Sequence, residues 1–186
     1  SDNLVLLFVF MGLGIVSVLA AIFYTVGKNA YGYRGFGDIF VFLFFGGLGV
    51  LGSCFLFTQS FQWLHLLPAV TVGAMSVAVL NLNNMRDVEN DRLAQKNTVV
   101  VKMGIVNAKK YHLVLLIGAL SMQSVFVLLS TKSYWAWLFI LVAPLIFINA
   151  KKAWQAKESK DFDPLLKPLA IATLLFCLLA GIGQNL

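Results

Sequence analysis

Six long apolar runs limit the folds that this chain can adopt. A bilayer core needs about 20 apolar residues per helix, and hydrophobic residues make up 60% of this sequence while charged residues make up only 12%. Ordinary soluble domains have about 45–50% and about 25%. We therefore predict an all-α, polytopic membrane helix bundle that forms one domain over residues 1–186. Its six transmembrane helices are expected at Leu4–Val26, Ile39–Phe57, Leu64–Leu82, Tyr111–Leu129, Trp135–Ala150 and Leu165–Ile182.

The basic residues indicate how the bundle is oriented. Of the 14 Lys and Arg residues, all except Lys132 follow the first, third or fifth apolar run. Loops rich in Lys and Arg stay in the cytoplasm, so these three loops are predicted to be cytoplasmic in a bacterial inner membrane. The net charge of +6 then reflects membrane topology and lipid headgroups, especially along Lys151–Lys167. Nucleic acid is not an expected partner.

The second run contains Gly47-Leu-Gly49-Val-Leu-Gly52, which has the spacing of a dinucleotide-binding fingerprint. That fingerprint works only between a β-strand and a helix, whereas here it lies inside an apolar run. We interpret these three glycines as positions of close helix packing, as small residues are in membranes.

The polar stretch Asn81–Lys110 is the strongest candidate for a site of chemistry. Asn83, Asp87 and Asp91 are four residues apart, so a continuous helix would place them on one face about 6 Å apart along its axis. Oxygen ligands suit Mg²⁺, which typically binds through one or two carboxylates together with substrate phosphates. The spacing predicts a site for a metal-bridged diphosphate.

Cations lie among these acidic residues, at Arg86, Arg92 and Lys96. Arg binds phosphate oxygens through two nitrogens and Lys offers a point charge for the same anion. The alternative is a solvated loop in which Arg and Asp pair on the surface and Asn83 or Asn84 caps a helix. Three polar residues at helical spacing at the mouth of a bundle favour the functional interpretation.

A second loop, Gly27–Asp38, lies on the same side of the membrane by the charge argument. It is rich in glycine and offers cations and hydroxyls that could complete a polar cap over the same cavity, at Lys28, Tyr31, Tyr33 and Arg34. The alternative is an interfacial turn with tyrosines at headgroup depth and Asp38 as a helix N-cap.

These two loops resemble those of the UbiA-type intramembrane prenyltransferases, most closely the branch that prenylates 1,4-dihydroxy-2-naphthoate in menaquinone synthesis. One matching stretch is Asn83-Asn-Met-Arg-Asp-Val-Glu-Asn-Asp91 with Lys96-Asn-Thr98, and the other runs from Tyr24-Thr-Val-Gly27 to Asp38. The resemblance implies transfer of a polyprenyl group from polyprenyl diphosphate to the naphthoate ring, with decarboxylation to demethylmenaquinone. It implies Mg²⁺ as the cofactor.

The resemblance also implies roles for individual residues. Catalytic roles fall to Asp87, Asp91, Lys96 and Arg34. The metal ligands would be Asn83, Asp87 and Asp91. Substrate binding would fall to Asn83, Asn84, Arg86, Arg92, Lys28, Tyr31, Tyr33 and Thr98.

Family members are expected to have nine membrane helices, and this chain resembles helices four to nine. A first Asp-rich motif of the form N/DxxxDxxxD is expected after the second family helix, and these 186 residues contain none. The start at Ser1 rather than Met is also expected of a partial chain. We therefore expect the 186-residue chain, expressed alone, not to catalyse transfer.

Two other functions are compatible with the pattern. A related enzyme could prenylate a different aromatic acid, such as 4-hydroxybenzoate. A membrane transporter or anion-binding protein could also use the polar loop, although transporters tend to place ionisable residues near the bilayer midplane.

Overall fold

The structure is a computed structural model that describes residues 2–26, 30–130 and 133–186. Every regular element in these ranges is a helix. Six segments are long and apolar enough to cross a membrane: Leu4–Tyr24, Gly37–Thr58, Trp63–Arg86, Val99–Ser130, Tyr134–Gln155 and Ser159–Gln184. The prediction of an all-α bundle with six transmembrane helices is confirmed.

The first two spans differ in regularity. Helix α1, Asp2–Thr25, exposes large apolar side chains along most of its length, as helices that face lipid or other membrane helices do. The second span combines α2, Gly37–Val41, a π-helix, Phe42–Gly52, and α3, Ser53–Thr58. A π-helix of this length is rare, and it covers the whole of the glycine fingerprint.

Close packing in the second span depends on a different glycine from those in the fingerprint. A Cβ atom on Gly46 would overlap the carbonyl oxygen of Ala69 and lie 2.9 Å from Gly73 Cα. Among described atoms, a Cβ on Gly47 would have no neighbour within 4 Å, and one on Gly49 would meet only its own helix. A Cβ on Gly52 would lie 3.9 Å from a ring carbon of Phe10 on α1. Among the described residues, Gly52 is therefore the one fingerprint glycine that approaches another helix, and the packing against α4 falls to Gly46.

Helix α4, Leu66–Arg86, is the centre of the bundle. It packs between the π-helix, α6 and α8, and small buried residues such as Ala74 and Ala78 allow the close approach. Buried Asn81 donates a hydrogen bond to the Ala108 carbonyl of α6 at 3.0 Å. Such contacts satisfy polar groups that lipid cannot, and they hold α4 at a defined depth.

The polar stretch after α4 is largely helical. Helix α5 covers Val88–Leu93, and α6 covers Val99–Ser130 with a sharp break at Gly104, whose φ of 77° favours glycine. We predicted the fourth span to start at Tyr111, but its helix extends back to the break at Gly104, and a further helical turn from Val99 precedes the break. The residues around Lys109 continue the helix beyond the apolar run, and Lys102 lies in the helical turn before the break.

The last two spans both begin as 3₁₀-helices. Tyr134–Val142 leads into α7, Ala143–Gln155, and Ser159–Phe162 leads into α8, Asp163–Gln184. Asn149 of α7 donates to the Leu165 carbonyl at 2.8 Å. These contacts bring the start of α8 beside the end of α4, where the acidic residues lie.

Candidate functional site

The acidic residues lie where α4 gives way to α5. The Asp87 backbone leaves the helical region, with φ −94° and ψ 6°. The hydrogen bonds nevertheless continue, because Asp87 N donates to Asn83 O at 3.0 Å and Asp91 N donates to Asp87 O at 2.8 Å. The helical spacing that the sequence predicted is thus present, with a bend at Asp87.

Arg86 joins two of these residues. Its Nε donates to Asp87 Oδ1 at 2.7 Å, and its Nη2 donates to Asp87 Oδ2 and to Asn83 Oδ1, both at 2.8 Å. Hydrogen bonds from the guanidinium hold the pKa of the Asp87 carboxyl below its usual range. Asp87 therefore remains a carboxylate at neutral pH.

Asp163 is a member of this cluster that the sequence analysis missed. It is the first residue of α8, and its Oδ1 accepts a hydrogen bond from Arg86 Nη1 at 3.1 Å. Asp163 is separated from Arg86 by 77 residues. Locally it is an acidic residue at the start of a helix, which is common and does not mark a site. No spacing rule could have joined the two.

Asp91 is the most buried carboxylate of the polar stretch, at 6% exposure. Lys96 Nζ lies 3.2 Å from its Oδ1. Among the residues that the structure describes, its buried Oδ2 has no hydrogen-bond partner. A buried acceptor without a partner is costly, so this oxygen is suited to receive a ligand.

The Tyr31–Arg34 turn packs against the residues that follow Asp91. Asn97 N donates to Tyr33 O at 2.8 Å, and Lys102 Nζ donates to Arg34 O at 2.8 Å. The two polar loops that the sequence singled out therefore meet at one end of the bundle. The side chains of Tyr33 and Arg34 are exposed there. Lys28 and the side chain of Tyr31 lie outside the described residues.

Replacement of Gly35 by alanine is expected to separate these loops and to lower activity. Gly35 has a φ of 87°, and a Cβ there would lie 2.6 Å from Asn97 O and 2.7 Å from Lys102 Nζ. Gly104 is a stringent control, because no described atom lies within 4 Å of a Cβ placed on it, while its φ of 77° and ψ of 160° fall in a region that is essentially restricted to glycine. Alanine at Gly35, which is in the left-handed α region, carries about 1–2 kcal/mol of backbone strain, and G104A carries at least as much. If the contact between the loops matters, activity should still fall further in G35A than in G104A. Equal activities would contradict a role for this contact.

Three other predicted substrate-binding residues occupy different surroundings. Thr98 Oγ1 accepts a hydrogen bond from Val101 N at 3.3 Å at the start of α6, and Asn84 is buried at 3% exposure. Arg92 is exposed and lines a separate cleft with Lys157 and Lys160. Between the two arginines that the sequence left undecided, Arg86 is the one that contacts Asn83 and Asp87.

The donor chemistry of the cluster fits Mg²⁺ shared with a diphosphate. Within residues 2–26, 30–130 and 133–186, no three His, Cys, Asp or Glu side chains form a metal-binding group. Mg²⁺ needs only one or two carboxylates when substrate phosphates complete its shell. Asp91 Oδ2 offers a buried, unpartnered oxygen, whereas both oxygens of Asp87 already accept hydrogen bonds from Arg86.

Comparison with known proteins identifies the family. Residues 4–174 match the model of the UbiA prenyltransferase family. The chain belongs to this family. It is 44% identical over 174 residues to the 1,4-dihydroxy-2-naphthoate octaprenyltransferase of Escherichia coli, covering 94% of this chain and 56% of that protein. Family membership, together with the six apolar spans, makes this chain an integral membrane protein.

Two other relatives are also named 1,4-dihydroxy-2-naphthoate octaprenyltransferase. The Haemophilus influenzae protein is 40% identical over 182 residues, covering 98% of this chain and 59% of the relative. The Mycobacterium tuberculosis protein is 32% identical over 168 residues, covering 90% of this chain and 56% of the relative. The chain thus spans a little over half the length of these relatives. No solved structure shows a significant match to it.

Proposed function

We propose that this UbiA prenyltransferase transfers a polyprenyl group from polyprenyl diphosphate to 1,4-dihydroxy-2-naphthoate. The observation that carries the proposal is the buried, unpartnered Oδ2 of Asp91 beside Lys96, one helical turn from the Asn83–Arg86–Asp87 cluster. Carboxylate and cation together suit a metal-bound diphosphate. The names of the relatives support the naphthoate as acceptor.

Each residue has a distinct part in the proposed site. Asp91 would hold Mg²⁺ through oxygen, and Asp87, one turn away, would join it when Arg86 turns toward phosphate. Asn83 lies about 12 Å from Asp91 along the helix axis, so it would instead bind the diphosphate. Mg²⁺, when bound, would supply charge neutralisation for the departing diphosphate. Lys96 and Arg86 would donate hydrogen bonds to the phosphate oxygens as negative charge accumulates there. Arg34, exposed on the adjoining turn, is our remaining candidate for this role.

The proposed reaction balances without a redox partner. The bond between the prenyl carbon and the diphosphate oxygen breaks, and the diphosphate leaves with the electron pair. The ring carbon that bears the carboxylate then bonds to the prenyl carbon, and CO₂ departs and leaves its electron pair in the ring. The product is demethylmenaquinol, the reduced form of demethylmenaquinone.

The membrane location suits these reactants. The polyprenyl tail needs hydrocarbon, while the diphosphate and the naphthoate carboxylate need an aqueous interface. By the distribution of Lys and Arg, we propose that the acidic end of the bundle faces the cytoplasm.

The test is a transfer assay on the protein expressed from its complete gene and reconstituted in nanodiscs. Octaprenyl diphosphate is supplied with equal amounts of 1,4-dihydroxy-2-naphthoate and 4-hydroxybenzoate, and products are measured by mass spectrometry. We expect prenylated naphthoquinol, release of label from a ¹³C-carboxylate, and loss of both with EDTA. If prenylated 4-hydroxybenzoate is the only product, the acceptor is 4-hydroxybenzoate and not the naphthoate. Turnover that persists in EDTA would contradict the role of Mg²⁺.

A further inference from the structure

Asp38 lies in a position that the diphosphate chemistry does not use. As the second residue of α2 it could have capped that helix, but the cap position is Phe36 and no side chain makes a capping hydrogen bond there. The Asp38 carboxyl is instead only 7% exposed, and it lines one cleft together with Tyr111 of α6. Asp38 therefore lies where the second span faces the fourth.

One oxygen of this carboxyl remains available. Asp38 Oδ2 is buried, and no atom in the described part of the chain forms a hydrogen bond with it. Asp38 and Tyr111 line a cleft of about 230 Å³ whose other walls are apolar, formed by Ile39, Phe42, Leu43, Val77 and Leu115. A cleft that has one hydrogen-bond acceptor, Asp38 Oδ2, and otherwise apolar walls favours a ligand that combines a hydrogen-bond donor with an apolar body.

The dimensions of the cleft limit its ligand further. Its volume of about 230 Å³ is below the roughly 300–1,000 Å³ of sites for drug-sized ligands, and it suits a one- or two-ring compound. Ile39 and Leu43 are each 54% exposed, so the cleft opens on the side of the bundle. The cleft is therefore open on that side in the part of the protein that the structure describes.

The cleft is at the same end of the bundle as the acidic cluster. The neighbouring Gly37 approaches Leu80, with 3.6 Å between an added Cβ and Leu80 Cδ2. Leu80 and Val77 precede Asn83 by three and six residues on α4, which is about 5 and 9 Å along the helix axis. A ring bound in the cleft would lie within two turns of the proposed diphosphate site.

We propose that the cleft between Asp38 and Tyr111 binds a fused aromatic ring that carries a free hydroxyl, with Asp38 Oδ2 accepting the hydrogen bond from that hydroxyl. The choice of ring rests on the proposed function. In 1,4-dihydroxy-2-naphthoate the 1-hydroxyl lies beside the carboxylate and can donate to it, whereas the 4-hydroxyl is free. The prenylated quinol product also carries such a hydroxyl, so acceptor and product share the chemistry that the cleft would recognise.

The test compares two probes, 4-hydroxy-2-naphthoate and 2-naphthoate, which differ only in the free hydroxyl. Their binding to the protein from its complete gene is measured by titration in nanodiscs without prenyl diphosphate. Wild type should bind the hydroxylated probe about 10-fold more tightly, as one hydrogen bond to a buried acceptor allows. Asp38→Asn leaves a single acceptor oxygen, so it should weaken that preference and leave 2-naphthoate binding unchanged. A preference of wild-type size in D38N, or no preference in wild type, would overturn the proposal.

Two further variants keep the test decisive if D38N fails to fold. Leu43→Trp should fill the cleft from its exposed mouth and weaken binding of both probes without altering the carboxyl. Unchanged binding in L43W would overturn the proposal. Glu89→Gln, which changes an exposed carboxyl on α5, is the matched control and should bind both probes as wild type does.

Steady-state kinetics show whether the acceptor or the prenylated quinol product supplies the hydroxyl that binds in the cleft. If the acceptor occupies the cleft, D38N should raise KM for 1,4-dihydroxy-2-naphthoate about 10-fold with kcat retained. If the product occupies it, D38N should instead relieve inhibition by the prenylated quinol. Either result supports the cleft. A wild-type protein that distinguishes the probes but transfers no prenyl group would contradict the proposed function and not the cleft.

Discussion

Replacing Asp91 with asparagine should lower prenyl transfer by about 100-fold or more, the cost of removing one group that stabilises developing charge in an active site. Asparagine has nearly the same shape but cannot supply a second anionic oxygen to a cation. The position is sensitive because Asp91 Oδ2 is buried and has no partner among the described residues, while Oδ1 already meets Lys96. Initial rates at saturating Mg²⁺ and both substrates are the measurement.

The control for this experiment is Glu89→Gln on the same short helix. Glu89 is exposed, so its loss removes a similar charge without touching the buried carboxyl, and transfer should stay within about 2-fold of wild type. Thermal unfolding of D91N in detergent checks that the fold persists. A folded D91N protein with wild-type rates would eliminate Asp91 as a ligand of the metal or diphosphate.

Replacing Gly46 with alanine should produce the largest loss of stability. The added Cβ would meet the backbone of Ala69 and Gly73 on α4, and a backbone cannot move aside as a flexible side chain can. Overpacking typically costs about 1–3 kcal/mol, which corresponds to roughly 2–12 °C in Tm for a chain of this size. The second span would be pushed away from the central helix.

Gly47→Ala provides a comparison one residue along the same π-helix. No described atom lies within 4 Å of a Cβ on Gly47, and alanine is favoured over glycine in helices by about 0.5–1 kcal/mol. G47A should therefore unfold at or slightly above the wild-type temperature. Similar Tm values for G46A and G47A in a detergent melt would contradict the close approach of the π-helix to α4.

The acidic ladder shows how far local sequence could lead. The four-residue spacing of Asn83, Asp87 and Asp91 predicted helical continuity, and the backbone hydrogen bonds through these residues agree. The bend at Asp87 was not predictable, because it depends on contacts with other elements. Arg86 contacts Asp163 on α8, and Lys96 turns back to Asp91. The assignment of these residues to metal and diphosphate remains a prediction.

The glycines and the fourth span show where local sequence misled. A letter pattern marked Gly47, Gly49 and Gly52 for packing, but orientation around the helix decides which glycine meets α4, and that residue is Gly46. The basic residues before Tyr111 suggested a loop, yet they continue α6, since helices can extend beyond the bilayer and place Lys side chains at the interface.

The sequence by itself determined the six apolar spans, the helical class and the acidic ladder, because length, hydropathy and i, i+4 spacing are local properties of the chain. Only the tertiary structure decided that Tyr33 and Arg34 meet Asn97 and Lys102, that Asp163 joins Arg86, and that Asp38 and Tyr111 line one cleft. Each of these contacts joins different elements of the bundle. Their geometry follows from how the helices pack around α4, and no sequence spacing encodes that packing.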